Sequence, residues 1–325
     1  NKTGTFSSTY IFTKTAFEKA GSKDNGYASK SFTEFQNNRF TISQRLQNQD
    51  ERVKGRGTDS VGFYPVGYSR SSQSMYYVNF FATYAGKDVN TVRLSPFLNV
   101  PLPAWNINYT GLSKIEAVKN IFTNLALTHA YNGRYTIAGY TGVNAVFQSD
   151  TFAAGQSLDP ELQISGISIS ERFAPLIGVN FATKSGFTGR VNYNKSRTLI
   201  LNPRGNNINE NKTSEFVISG GYRKTGLLLP IKSKGRKIFL PNDFNFNVDV
   251  SVMTSFIVLR DIEKGLNTPQ GGQTMISIKP NIQYKLSSSF NMNIYYDRRV
   301  NKPVVLGSFP TALTNLGVRL QYTFN

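Results

Sequence analysis

The sequence predicts an all-β chain: a transmembrane antiparallel β-barrel segment led by a partly helical, irregular N-terminal region. Three observations predict it. Beyond Trp105, apolar and polar residues alternate with a period of two in one stretch after another. Those stretches reach the ~9–11 residues that a tilted strand needs to cross hydrocarbon. Aromatic side chains gather near their ends, at Phe244 and Phe246, Tyr284, Tyr295 and Tyr296, and Tyr322 and Phe324, as interfacial girdles require.

Residues 1–104 read as the irregular, partly helical region. "SFTEFQNNRFTISQRL" sets Phe32, Phe35, Arg39, Ile42 and Leu46 at helical spacing. "SSQSMYYVNFFATYAG" supplies a serine N-cap and closes on Gly86, again a helix. Between them "KGRGTDSVGFYPVGYSR" is rich in glycine and reads as loop.

Residues 105–325 read as antiparallel transmembrane strands ending in a closing strand. Weaker alternation marks strands near 121–131, 134–141, 162–171, 176–184, 187–200 and 213–223. "FNFNVDVSVMTSFIVL" is clearer, with Phe244, Phe246, Val248, Val250 and Val252 on one face and Asn245, Asn247, Asp249 and Ser251 on the other. In "MISIKPNIQYKLS" the apolar set is Ile276, Ile278, Ile282, Tyr284 and Leu286, against Ser277, Lys279, Asn281, Gln283 and Lys285. "FNMNIYYD" sets Phe290, Met292, Ile294 and Tyr296 against Asn291, Asn293, Tyr295 and Asp297. The last strand alternates Leu316, Val318, Leu320, Tyr322 and Phe324 with Gly317, Arg319, Gln321 and Thr323. Pro280 cannot donate a ladder hydrogen bond, so a bulge or sheet edge is expected there. The alternation slips near Gly166, which also predicts a bulge.

Tight turns fall at Ser185-Gly186 and Ser287–Ser289, with an even number of strands between them, so both lie at the same end of the sheet. Longer links are expected at 201–212 and 260–274 on the opposite end, and at 225–242 on the turn end.

Bulk properties exclude several classes. The 325 residues carry 37 Lys and Arg against 19 Asp and Glu, a formal charge of +18, yet 39% are hydrophobic, too many for a disordered basic tail. There is no cysteine, hence no disulfide framework and no thiolate metal site. No apolar run approaches the ~20 residues of a membrane-crossing helix. The first residues, "NKTGTFSSTY", lack the basic and apolar regions of a secretory signal, so the chain reads as processed or as a piece of something longer.

A strand with one apolar face packs on a second sheet in a β-sandwich and meets lipid in an outer-membrane barrel. Strand length, terminal aromatics and a polar face dense in Asn, Gln, Lys and Asp favour the barrel. On that reading Asn245, Asn247, Asp249, Lys279, Asn281, Gln283, Asn291, Asn293, Arg319 and Gln321 line the lumen. Phe244, Val248, Val250, Ile278, Ile282, Leu320 and Phe324 face lipid. Arg223, Lys224, Lys232, Lys234, Arg236 and Lys237 form a basic cluster over the 225–242 link, with no acid among them until Asp243. Barrels normally end on the periplasmic side, which puts this cluster in the periplasm as a docking surface rather than a nucleic-acid site. A smaller porin or TonB-linked receptor and a soluble β-sandwich adhesin are the rival readings.

Several collinear stretches resemble the C-terminal part of the SprA/Sov family, the outer-membrane translocon of the type IX secretion system in Bacteroidetes. They include "GYSRSSQ" (67–73), "SPFLNVPLPAWNINYTGLSKI" (95–115), "LALTHAY" (125–131) and "SISERFAPLIGVNFATKSGFTGRVNYNKSRTL" (168–199). "GGYR" (220–223), "TMISIKPNIQYKLSSSFNMNIYYDRRVNKP" (274–303) and "SFPTALTNLGVRLQYTF" (308–324) continue the likeness. The resemblance implies part of a very large outer-membrane barrel that passes folded cargo proteins, with a role in gliding motility in some species. It implies as partners the rest of the same translocon chain, plug and cargo-shuttle outer-membrane proteins, secreted cargo and membrane lipid. It also implies that the chain is a C-terminal fragment whose last strand is the natural end.

Chemistry is sparse. His129 is the only histidine and falls in phase with Leu125, Leu127 and Tyr131, which reads as a packed side chain. One histidine without cysteine makes no triad and no zinc site. Asp249 and Asp297 sit on polar strand faces, and Asp261 and Glu263 in a link. "GRG" at 55–57 and "GG" at 271–272 are too short to cradle a phosphate, and the sequons at Asn194 and Asn211 read as chance. No catalytic residue, metal, cofactor or nucleic acid is expected.

Overall fold

The alternating stretches pair into one antiparallel sheet in the computed structural model, which describes residues 2–19, 21–60, 63–143, 155–233, 236–240, 243–285, 289–304 and 309–324, with backbone alone over 227–240. The strands are β1 (Thr3–Thr9), β2 (Trp105–Tyr109), β3 (Phe122–Gly142), β4 (Leu162–Thr183), β5 (Phe187–Asn202) and β6 (Asn207–Lys224). They continue with β7 (Leu227–Ser233), β8 (Arg236–Leu240), β9 (Phe244–Asp261), β10 (Asn267–Lys285), β11 (Phe290–Pro303) and β12 (Thr311–Tyr322). The helices are α1 (Thr13–Ala16), α2 (Lys30–Gln49), α3 (Gln73–Ala85) and α4 (Glu116–Lys119).

Ten strands form the main sheet in the order β1-β3-β4-β5-β6-β9-β10-β11-β12, with β2 also paired to β3. Neighbours in sequence are neighbours in space, the up-and-down order that short connections favour. The sheet is not closed: β1 and β2 share one outer edge and β12 forms the other. β7 and β8 make a separate hairpin that joins β6 to β9.

Several strands are longer than their sequence pattern suggests. The stretches 121–131 and 134–141 are one strand, β3, and 162–171 and 176–184 are one strand, β4. The breaks are bulges: register shifts between Thr128 and Tyr131 in β3 and between Phe173 and Ile177, around Pro175, in β4; the bulge expected near Gly166 is present as well, where Gly139 pairs. Each bulge reverses the phase of alternation without ending the strand. The expected links at 201–212 and 260–274 shrink because β5, β6, β9 and β10 run almost to their turns. The 225–242 link carries a hairpin rather than open loop. Pro280 causes no bulge; it stands in an interior strand whose register runs unbroken on the β9 side, and the bulge lies instead between Pro269 and Gly271. Part of the expected Ser287–Ser289 turn, and Leu286, lie outside the described residues.

The two long helices, α2 and α3, form where the periodicity places them, while the short α1 and α4 carry no such signal. Ser29 caps α2 by accepting from the Phe32 amide at 3.2 Å, and Phe32, Phe35, Arg39, Ile42 and Leu46 are all buried. α3 ends on Gly86, whose φ of 65° is the left-handed conformation that glycine adopts freely. Asn79 of α3 donates to the Phe35 carbonyl at 2.7 Å and locks the two helices together. Gln36 and Arg39 reach the Ile262 carbonyl in the β9–β10 turn at 2.9 and 3.2 Å. Under this layer, Tyr135, Ile137, Ile167, Ile169, Leu199, Leu201 and Ile208 complete the core. The first 104 residues therefore also supply the edge strand β1, and their helices cover one face of the sheet at its loop end.

Candidate functional site

Strand register sorts the sheet into two chemically opposite faces. On one, Asp249 lies between Ser219 of β6 and Lys279 of β10, and Asn247 lies between Gly221 and Asn281. Asn245 sits between Arg223 and Gln283 on the same face. The row continues outward as Gln283 opposite Asn293, Asn293 opposite Arg319, and Asn291 opposite Gln321. All ten residues expected to line a lumen thus share one face. Asn281 donates its amide to the Asn293 carbonyl oxygen at 2.6 Å, tying β10 to β11. Two polar hollows open on this face. One of about 660 Å³ is lined by Asn106, Thr128, Asn192, Arg190 and Asp249, and one of about 440 Å³ by Asn245, Gln283, Asn293 and Arg319.

The opposite face carries Val250 between Ile218 and Ile278, Phe246 between Tyr222 and Ile282, and Leu320 opposite Met292. Phe244 and Val248 fall in the same phase of β9, and Phe324 follows β12 with its ring 4.9 Å from Tyr322. This face is largely uncovered over its turn-end half, with Ile177 65% and Leu320 58% exposed. Aromatic pairs rim the exposed aliphatic residues at both ends. Phe187 stacks on Tyr222 at 4.4 Å and Phe122 meets Phe181 at 5.8 Å on the turn side. Trp105 meets Tyr131 at 4.6 Å, Phe17 meets Phe173 at 5.2 Å and Tyr27 stacks on Phe256 at 5.5 Å on the helix side.

The apolar band is oblique to the ladder. The row through Phe187, Tyr222, Phe246, Ile282 and Ile294 arrives at Val318, but on β12 the aromatic rim lies further on, at Tyr322 and Phe324. At the other edge, the row of Lys195, Ser214, Thr254 and Thr274 arrives at Lys302, but on β11 the first cation is already at Arg298. Both edges drift the same way, so the band keeps its height while crossing the strands at a slant. Strands tilted through a slab produce this pattern.

Between the band and the helical core runs a buried seam of charge. Arg197 donates Nε to Glu171 at 2.8 Å and reaches the Thr15 carbonyl at 2.7 Å. Tyr131 donates to Glu171 at 3.3 Å. Arg260, fully buried, donates Nε to Glu210 at 2.7 Å, and its Nη1 reaches Asn267 Oδ1 at 2.7 Å and the Tyr27 carbonyl at 3.1 Å. Lys212 pairs with Glu210 at 2.9 Å. Glu18 accepts from Ser29 Oγ at 2.8 Å and the Ser31 amide at 3.1 Å. Burial opposes its ionisation, but the bonds from Ser31 and Ser29 and the nearby Lys212 hold its carboxyl below the usual range. The seam fastens α1 and the segment after it to β4, β5, β6 and β9.

No protein-family model and no curated protein matches this chain. The site therefore rests on its geometry. Sequence reading missed the seam, although a signal was present: Glu171 is in phase with Ile167, Ile169 and Phe173, and Arg260 with Phe256 and Val258. A charge on the apolar phase of a strand needs a buried partner.

The basic cluster is only partly described. Arg223 pairs with Asp243, Lys232 lies opposite Lys237 and Arg236 opposite Ser233 in the hairpin backbone, and Lys234 lies outside the described residues. His129 packs beside Trp105 and Phe173, its Nδ1 2.6 Å from the Leu176 carbonyl oxygen. Among the described residues no three His, Cys, Asp or Glu side chains gather as metal ligands. No helix is long and apolar enough to cross a membrane, which says nothing of strands.

Proposed function

We propose that the chain forms part of the wall of a very large outer-membrane β-barrel, the protein-conducting channel of type IX secretion. The slanted, uncovered apolar band opposite a continuous polar face is the observation that carries the barrel reading. A second sheet would cover such a face in a sandwich, whereas among the described residues only the helical layer lies on it, and at one end. Two unpaired edges on a ten-stranded sheet support a barrel completed by further strands. The assignment to type IX secretion rests on the family resemblance of the quoted stretches.

The mechanism is passage rather than chemistry. The polar face is rich in carboxamides; of its charges Asp249 and Lys279 stand opposite each other in register, and Arg190, Arg223 and Arg319 add positive charge to the same face. Amide groups exchange hydrogen bonds with water and carry no net charge, so the amide-lined rows hold a passing protein of either sign only weakly. The helical layer lies on the apolar side and leaves this wall clear.

Alkaline carbonate extraction of membranes from the source bacterium tests the barrel: the full-length protein should stay with the membrane, and its release as a soluble monomer would overturn the reading. Deletion of the gene should leave type IX cargo in the periplasm. Normal export would remove the translocon assignment while leaving a smaller porin or receptor barrel in place.

A further inference from the structure

At the helix-side edge of the apolar band, Lys195 stands without a carboxylate partner among the described residues. Lys195 of β5 is two residues from Tyr193, on the same face, at the first position beyond the band. Its neighbours in the seam are ion-paired: Arg197 with Glu171, and Lys212 and Arg260 sharing Glu210, with Glu18 also near Lys212. Among the described residues no carboxylate lies within ion-pair distance of Lys195. Its ammonium instead sits 4.7 Å from the centre of the Phe17 ring.

The segment holding Phe17 is built to stay at this level. Phe17 is 51% exposed although it packs on Phe173. Tyr27, ten residues on, stacks on Phe256 of β9, and Arg260 holds its carbonyl. Lys19 and Lys23 are exposed between them, while Glu18 is turned inward onto Ser29 and Ser31. An aromatic ring at the end of an apolar band, with unneutralised ammonium groups just beyond it, has the chemistry of a membrane interface: the ring seats among acyl ends and the cations meet anionic headgroups.

We propose that Lys195, with Phe17, Lys19 and Lys23, is a seat for the phosphate of a lipid headgroup in the leaflet at the loop end of the sheet. The inference rests on reading the band as membrane-facing. The helical layer then rests on that leaflet, clamped from the protein side by the charge seam and from the lipid side by phosphate.

Tryptophan quenching, read as the difference between each variant and its Trp105→Phe parent, separates the two claims, because the difference isolates the added ring whatever tryptophans lie elsewhere in the full-length protein. In a Trp105→Phe background, Val250→Trp reports the band, and Phe17→Trp or Tyr27→Trp reports the rim. The full-length protein is reconstituted in vesicles of chain-brominated phosphatidylcholine, with or without phosphatidate. Both sites should be quenched, and phosphatidate should strengthen quenching at the rim alone. Lys195→Gln should weaken retention of phosphatidate through purification about fivefold, the ~1 kcal/mol that one basic side chain contributes near an anionic surface. Quenching at Val250→Trp with none at either rim position would overturn the lipid seat and leave the barrel reading intact. Quenching at the rim indifferent to phosphatidate, or unchanged phosphatidate retention in Lys195→Gln, would overturn the phosphate assignment. No quenching at Val250→Trp would overturn the membrane reading itself, and the seat with it.

Discussion

Asp249 and Val250 are consecutive on β9 and face opposite sides of the sheet, Asp249 paired with Lys279 on the polar side and Val250 with Ile278 on the apolar side. One backbone step therefore separates two environments. Asp249 borders a water-accessible hollow lined with amides, and Val250 sits mid-band among aliphatic side chains. The contrast gives the sharpest probe of what the apolar face meets.

Val250→Arg should cost about 2–4 kcal/mol of folding stability in bilayers, while Asp249→Arg should be tolerated. Denaturant titration of the protein folded into vesicles measures both. Equal tolerance would contradict the assignment of the faces.

The Glu171–Arg197 pair is almost wholly buried, at 1% and 2% side-chain exposure. Arg197→Ala leaves the carboxylate without its main partner and should destabilise by about 3–5 kcal/mol. Replacing both, Arg197→Met with Glu171→Leu, should cost less than Arg197→Ala alone. A double variant weaker than the single one would mean that Thr15 and Tyr131, rather than the pair, dominate this part of the seam.

Phe35 is fully buried against Tyr76 and Phe32, each ring centre 6.3 Å away. Phe35→Ala should cost about 3–5 kcal/mol through lost burial and the cavity left behind. Because α2 and α3 bear the loss, helical ellipticity should melt earlier than strand signal; coincident melting would show the layer and sheet to be one cooperative unit.

Asp50 ends α2 and accepts from Arg52 Nε at 2.8 Å and from the Tyr68 hydroxyl at 2.9 Å. The hydrogen bond from Arg52, only partly opposed by burial, holds its carboxyl below the usual carboxylate range. A depressed folded value means the stabilisation is present above the unfolded value, near pH 4, and is lost as pH falls through the lower folded value. Amide exchange around residues 46–53 should therefore quicken in acid below about pH 4. Asp50→Asn should flatten that dependence, and an identical acid profile in the variant would assign the effect elsewhere.

Much of this architecture is legible one residue at a time. Alternation in β9 to β12 sorts the residues onto two opposite faces because a strand turns each successive side chain to the other side, whatever its neighbours do. Helical spacing finds the buried stripe of α2 for the same reason, down to Arg39. Where backbone geometry departs from its period, at the bulges near Thr128 and Pro175, the pattern broke and single strands read as two, whereas the slip near Gly166 was legible as the bulge it is. The converse error came at Pro280, where a missing donor predicted a defect that the unbroken β9 pairing absorbs.

The amino-acid sequence by itself determined the antiparallel strands, their two opposite faces and the two main helices, since periodicity is a local property of the chain. Only the tertiary structure decided that the helices lie on the apolar side, that the band crosses the strands at a slant, and that Glu171, Arg197, Glu210 and Arg260 neutralise one another. These depend on register between strands and on contacts between residues far apart in the chain, as when Arg197 reaches Thr15. A buried charge is stable only beside a partner, and the partner is fixed by pairing across the sheet rather than by spacing along the chain.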